Sequence, residues 1–376
     1  MKSHLVRVAG RHVSKPDLVR LLEPFDLKVG RQVFIKPNLA VPASPDSGIV
    51  TDVKLTGSLI DALRDMGAER ILVGDGPVIG YRASDVFAAT GYEALAREKK
   101  VELVDLDLVE RRRIRWHYGE ISIPEVVFDS FYVNVAKLKT HVQTTVTLSM
   151  KNQKGLLLPV DKRRFHTDYG LHWPIAYLAE AVKPDLAIVD GVRGLEGDGP
   201  LRGGAARDVG VIVASRDMVA LDSFCCRVIS IDPYDVLHLM YAEEIGVGSL
   251  KSLGSGVPPP EVQVSFRRAN EKRKEVGKLR FVRNPYTCSG CGDSVASAIE
   301  HIKSTPRLWL RIGRMGYRAL FGGMVVLAGR NASPGELAGK RICVGACTQS
   351  LAKREGWRFV PGCPPTAKDV AEALLE

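Results

Sequence analysis

Through the first 250 residues, continuous apolar runs alternate with stretches whose apolar positions recur every three or four residues. The runs Val33–Lys36, Ile71–Gly74, Val101–Val104, Phe131–Val135, Leu186–Val189 and Val209–Ala214 are short and rich in valine and isoleucine. Such runs predict strands buried on both faces, as in a parallel sheet. Between them, Leu55–Met66, Ala83–Lys99, Ile175–Val182, Met218–Ile229 and Asp235–Ile245 carry the period of amphipathic helices. The alternation predicts a layered α/β domain with a mostly parallel sheet over residues 1–253. The string Gly254-Ser255-Gly256-Val257-Pro258-Pro259-Pro260 can be neither helix nor central strand, so a Gly/Pro-rich and then basic linker is expected over 254–284. Residues 285–376 are expected to form a smaller cysteine domain. Within it, Arg307–Arg318 alternates basic and apolar positions and predicts an amphipathic helix, docked between the domains or laid on a partner or membrane surface.

In open α/β sheets ligands bind beyond the carboxyl ends of the strands. Here those ends are crowded with polar side chains: Lys36 and Asn38 after the first run, Asp75 after the second, Lys137, Lys139 and His141 after the fourth, and Asp190 and Glu196 after the fifth. Lys151 and Asn152 follow in SMKNQKGLL. Lysines and asparagines gathered among glycines suit an anionic, oxygen-rich ligand, so Lys36, Asn38, Lys139, Lys151, Asn152 and Glu196 are the expected substrate-binding residues. His141, Asp75 and Asp190 are the expected acid–base residues, with His166 a further proton carrier and the carboxylates also able to hold a hard cation. Each has a plainer reading: Asp-Gly after a strand is commonly a turn whose carboxylate caps the next helix.

The strings VFIKPNL, TDVKLTGSLIDALRDMGAERILVGDGP, NVAKLKTH, MKNQKGLL and DGVRGLEGDGP resemble the domain of unknown function 362 family over about residues 30–250. Membership implies a prokaryotic protein, and members frequently carry iron–sulfur clusters. Many have a C-x2-C-x2-C-x3-C segment, which this chain lacks. The family carries no activity that could be transferred.

Four cysteines in the last ninety residues offer their own chemistry: Cys288 and Cys291 in TCSGCGD, Cys347 in VGACTQ and Cys363 in PGCPP. Four thiolates satisfy one tetrahedral zinc or one [4Fe–4S] cluster. Gly290, Gly292, Gly345 and Gly362 allow the close backbone approach a bulky inorganic core requires. Cys343, four residues before Cys347, lies in the apolar run Ile342-Cys343-Val344 and reads as core, with a ligand role as the alternative. Cys225 and Cys226 fall in a helical pattern and read as packing. The pattern is similar to that of the small subunits of nickel–iron hydrogenase and respiratory complex I. That resemblance implies one [4Fe–4S] cluster on Cys288, Cys291, Cys347 and Cys363, with zinc as the alternative.

The bulk numbers fit a globular protein of two domains: 376 residues, 45% hydrophobic and 26% charged, with seven cysteines. The first residues show no signal peptide and no run of 18 apolar residues occurs, which predicts a cytoplasmic protein without a transmembrane segment. The formal charge of +10 is partly concentrated: residues 267–283 carry eight Lys or Arg against Glu271 and Glu275. A solvated basic surface or a dock for an acidic redox protein explains this without a specific nucleic-acid site, since no such motif accompanies it. The expected function is therefore an iron–sulfur oxidoreductase that passes electrons from the cluster to an anionic small molecule at the strand ends. A non-catalytic electron carrier or cluster-bearing partner protein is the first alternative. A hydrolase or transferase with a structural four-cysteine metal site is the second.

Overall fold

The computed structural model describes residues 4–7, 13–169, 171–251, 258–269, 279–282, 289–304, 323–329, 332–336 and 338–376. They divide into two compact units, Met1–Phe165 with Tyr169–Pro200 and Gly204–Ala269, and His166–Asp168 with Leu201–Gly203 and Asn270–Glu376. Among the described residues no helix is long and apolar enough to cross a membrane.

The first unit begins with β1 (His4–Arg7), α1 (Lys15–Leu22), β2 (Gln32–Pro37), α2 (Val53–Asp65), β3 (Arg70–Asp75), α3 (Ala83–Thr90), α4 (Tyr92–Lys99) and β4 (Glu102–Asp105). A two-stranded ribbon of β5 (Arg111–Trp116) and β6 (Gly119–Pro124) follows, then β7 (Phe131–His141), β8 (Thr145–Thr147) and the short α5 (Ser149–Asn152). The chain continues through α6 (Pro159–Thr167), α7 (His172–Ala181), β9 (Leu186–Gly197), β10 (Gly204–Ser215), α8 (Met218–Val228) and α9 (Leu237–Glu244). The sheet runs β1-β10-β9-β7-β2-β3-β4, with β8 paired to β7. Strands β9, β7, β2, β3 and β4 are mutually parallel, as the unbroken apolar runs predict: Val33, Phe34 and Ile35 of β2 are all buried.

Two departures from the sequence reading concern strand direction and a helix break. The run Val209–Ala214 lies in β10, which pairs antiparallel with both β9 and β1. The stretch Ala83–Lys99 is two helices, because Gly91 takes φ 82° between α3 and α4, a conformation that stops a helix. In the separate β5–β6 ribbon, half-buried Arg111 and exposed Arg112 and Arg113 share a strand with Trp116. At the far end of the unit, the N–H groups of Val264 and Phe266 donate to Val228 and Ile229 and Phe266 is buried, so residues 258–269 pack as part of it.

The order of strands places the site. After β2 the chain adds β3 and β4 to one side; β7 then enters on the other side of β2, and β9 beyond it. The direction of winding therefore reverses between β2 and β7, and the crevice outside their carboxyl ends is the topological switch point where open sheets bind ligands.

The second unit is a smaller α/β layer. Its four strands, β11 (Leu279–Val282), β12 (Met324–Ala328), β13 (Lys340–Val344) and β14 (Arg358–Val360), are parallel and lie in chain order. Helices α10 (Ser289–Ser304) and α12 (Ala367–Leu375) bring Val295, Ala298, Val370 and Leu374 onto the face made by Val326, Ile342 and Val344. Helix α11 (Gln349–Glu355) brings Ala352 to the group formed by Val325, Leu327 and Cys343. Cys288, residues 270–278 of the basic stretch and the helix expected over Arg307–Arg318 lie outside the described residues.

Candidate functional site

At the switch point, register sets Lys36 beside Asn134 and Pro37 beside Val135. Lys36 is fully buried and its Nζ lies 2.7 Å from Oδ1 of Asp75. Asp75 also accepts the N–H groups of Leu39 at 2.7 Å and Gly76 at 2.9 Å. Gly155 closes over this pair: a Cβ there would overlap Asp75 Oδ1 and stand 2.5 Å from Lys36 Nζ. A Cβ on Gly76 would in turn overlap the carbonyl of Gly155. The GDGP turn and the MKNQKG segment thus meet face to face because both are glycine at the contact. Lys162 fastens the same turn, donating to the carbonyls of Gly76 at 3.1 Å and Pro77 at 3.0 Å.

Lys137 and Asp190 form a second buried pair at 2.7 Å, and Asp190 also accepts from Asp52 N at 2.8 Å and Val192 N at 3.1 Å. The two carboxylates expected to do acid–base work are therefore each bound to one lysine and two backbone N–H groups. In this arrangement they hold the strand ends in place.

Asn152 links the remaining parts. Its Nδ2 donates to Asn134 Oδ1 at 2.7 Å, and its Oδ1 accepts from Asn38 Nδ2 at 2.8 Å. Asn38 Oδ1 accepts from Lys139 Nζ at 2.7 Å, and Lys139 also donates to the carbonyl of Ile49 at 2.8 Å. Both oxygens are neutral. Burial pushes the Lys139 amine down to about 7, the charges of Lys137 and Lys36 push the same way, and only Asp75 opposes them. Half-buried Lys151 is likewise lowered to about 7, by desolvation first and by Lys139 second. It has no hydrogen-bond or ion-pair partner among the described residues.

His141, at the end of β7, is buried, and its Nδ1 accepts from the N–H groups of Gln143 at 2.9 Å and Thr144 at 3.2 Å. A ring nitrogen that accepts carries no proton, so the neutral ring carries its hydrogen on Nε2 and presents a donor there. Glu196 instead accepts from the backbone of Arg267 at 3.1 Å, with Arg207 Nη1 at 3.8 Å. The side chain of His166 lies outside the described residues.

One residue of this site carries no strand-end signature. Asp222 of α8 is fully buried and accepts from Ser149 N at 2.8 Å, Ser149 Oγ at 2.6 Å and Met150 N at 2.9 Å. Burial pushes its carboxyl up to about 7 against the pull of those donors. It anchors α5, the one turn that carries both Lys151 and Asn152. The available signal was a charged residue inside the mostly apolar helical run MVALDSFCC.

The cysteines of the second unit gather at the ends of β13 and β14. Cys291 is buried, and a Cβ on Gly345 would stand 2.8 Å from its Sγ. Gly345 donates to the carbonyl of Val360 at 3.0 Å, Ala346 to that of Gly362 at 2.8 Å, and Ser294 Oγ to that of Pro365 at 2.7 Å. The three strings holding Cys291, Cys347 and Cys363 thus share one end of the sheet, with Cys347 exposed and Cys363 half-buried. Cys343 belongs to a different packing group, with Val325, Leu327 and Ala352, and burial raises its thiol to about 11 against a hydrogen bond from Thr348. It packs as a core residue there. Cys225 and Cys226 are buried in α8, with thiols held well above the ordinary range by desolvation.

The donor set suits an iron–sulfur cubane in two respects: the thiols come from separate segments of the chain, and only glycine at 345 fits so close to the Cys291 sulfur. Among the described residues no three His, Cys, Asp or Glu side chains close on a point as they would around one metal ion.

A family model for a domain of unknown function, DUF362, matches residues 33–227. A thylakoid-associated protein of Synechocystis sp. is 28% identical over 243 residues, which cover 60% of this chain and 73% of that protein. No solved structure matches. The family match runs from β2 into α8, and so takes in every lysine, asparagine and aspartate of the strand-end site.

Proposed function

This chain belongs to the DUF362 family, and from that premise we propose that its first unit binds a small anionic molecule at the switch point. We propose further that its second unit carries a [4Fe–4S] cluster on Cys288, Cys291, Cys347 and Cys363, and that the molecule is reduced. The observation that carries the reading is the pair Lys139 and Lys151: two amines, each lowered to about 7, with no carboxylate among the described residues in contact with either, Lys139 meeting only neutral oxygens. An uncompensated amine in the interior is expensive to charge, and an incoming anion supplies the missing partner.

When bound, such a cluster supplies single electrons. The residues of the first unit do the rest. Lys139 and Lys151 hold the anion, and Asn38 and Asn152 fix the direction of the Lys139 ammonium. The Nε2–H of His141, at the end of β7, would donate a hydrogen bond to the ligand. Lys36, Asp75, Lys137 and Asp190 keep the strand ends at their spacing.

Anaerobic purification followed by iron, sulfide and zinc analysis tests the redox half. About four irons and four sulfides per chain, with visible absorption that bleaches under dithionite, is the expected result. One zinc and a colourless protein would remove it. Titration with inorganic phosphate at pH 7 tests the anion half, with Lys139→Met expected to weaken binding at least tenfold.

A further inference from the structure

Two histidines outside this account stand on α7 and α9, and α7 packs both on α9 and on α5, the turn that carries Lys151. His172 opens α7 and His238 stands in the first turn of α9, with ring centroids 6.1 Å apart and planes 22° from parallel. His238 is fully buried, and neither of its ring nitrogens has a hydrogen-bond partner among the described residues. The same holds for Nδ1 of His172. A neutral imidazole carries one donor and one acceptor, and burying them unmet is costly.

Packing does not demand histidine at either position. The next contact along the same two helices, Trp173 on Tyr241, stacks at 3.9 Å between centroids and joins α7 to α9 by itself. What the two rings share is Lys151. Burial lowers the basicity of both, and the charge of Lys151 lowers both further; His172 adds to the effect at His238. The three nitrogen bases stand on α5 and on the α7–α9 pair packed against it, the two rings are stacked with three unmet nitrogens, and no carboxylate figures among the charges the three feel. A metal ion would be repelled by the ammonium in its midst. An oxyanion offers acceptors only, and answers all three donors at once.

We infer that Lys151, His172 and His238 form an oxyanion subsite of the switch-point crevice, receiving one oxyanion group of the ligand while Lys139 faces the other end of the same molecule. This rests on the anion-binding reading above and extends it: the ligand class becomes small molecules with two separated anionic groups, or a phosphate large enough to span both lysines. The histidines each donate one N–H, and proton uptake by either ring accompanies binding.

The test is calorimetric titration of the full chain with inorganic phosphate at pH 7, comparing wild type, Lys139→Met, His172→Leu and His238→Leu. The expected result is at least tenfold weaker binding in both leucine variants. Their thermal stability should be equal to or above that of wild type, because an unmet buried ring is replaced by an apolar side chain of similar size. Should a leucine variant fail to fold, nitrogen-15 spectra of the wild-type histidines take its place, and phosphate should shift the ring signals of His172 and His238. Undiminished binding in both leucine variants, or histidine signals that ignore phosphate, overturns the subsite while leaving the Lys139 site standing. Absence of any phosphate binding to wild type defeats the anion-binding reading, and the subsite with it.

Discussion

The strand ends of the first unit hold two regions of equal polarity and opposite electrostatic balance. On one side, Lys36 and Lys137 each meet a carboxylate at 2.7 Å. On the other, Lys139 and Lys151 meet neutral oxygens or none. The chain had carboxylates to spare, since Asp75 and Asp190 spend their remaining lone pairs on backbone N–H groups. Compensated charge marks the part of the crevice that must not move. Uncompensated charge marks the part left for something that arrives.

The largest effect should come from breaking the compensated side. Asp75→Ala leaves Lys36 buried without a counter-ion and the Leu39 N–H without an acceptor. Removing one partner of a buried pair costs about 3–5 kcal/mol, most of it the penalty of the stranded charge. Denaturant unfolding at pH 7 should show that loss, and Asp190→Ala a comparable one. A cost below about 1 kcal/mol for either would mean that the pair is not framework, and the comparison would fail.

A smaller effect is expected from crowding the same pair without removing a charge. In Gly155→Ala the new methyl would overlap Asp75 Oδ1, and neither Asp75 nor Lys36 has room to withdraw. Overpacking of this kind costs about 1–3 kcal/mol. Gly30→Ala is the control, since its Cβ would meet nothing nearer than a carbonyl oxygen at 3.8 Å. If both substitutions cost the same, the closure of Gly155 over the ion pair has no energetic content.

Much of this is legible in the sequence itself. The β2 run is apolar at three successive positions because both faces are covered, and its end at Lys36 and Asn38 is visible as a change of residue type. The pairing was not legible. Which carboxylate faces which lysine depends on strand order, and β7 reaches β2 only after a ribbon and two strands have intervened. Asp222, His172 and His238 stayed hidden for another reason: they sit on helices whose apolar pattern reads as core, and burial is what gives them chemistry. The break at Gly91 and the reversed β10 were missed because periodicity describes burial and carries no direction.

The finest test of the comparison is the pH dependence of the uncompensated side. The Lys151 amine falls from an ordinary value of 10.5 to about 7 in the folded chain. Between those values the unfolded chain binds a proton that the folded chain does not, so stability rises with pH across the window. Below about 7 both states are protonated and the cost of charging the amine in the interior is fully present; above about 10.5 it has vanished. Lys151→Met removes that titration and breaks no hydrogen bond among the described residues. The variant should therefore be the more stable protein at pH 7, and the difference should close as pH approaches 10, with a slope of up to one proton. Lys139→Met should show the same slope with a smaller gain at pH 7, because it also strands Asn38 Oδ1 and the carbonyl of Ile49. Unfolding midpoints at pH 7, 8, 9 and 10 decide it, since titrating groups that do not feel Lys151 cancel between variant and wild type. Parallel curves would place Lys151 in water at its ordinary basicity, and the two sides of the crevice would no longer differ.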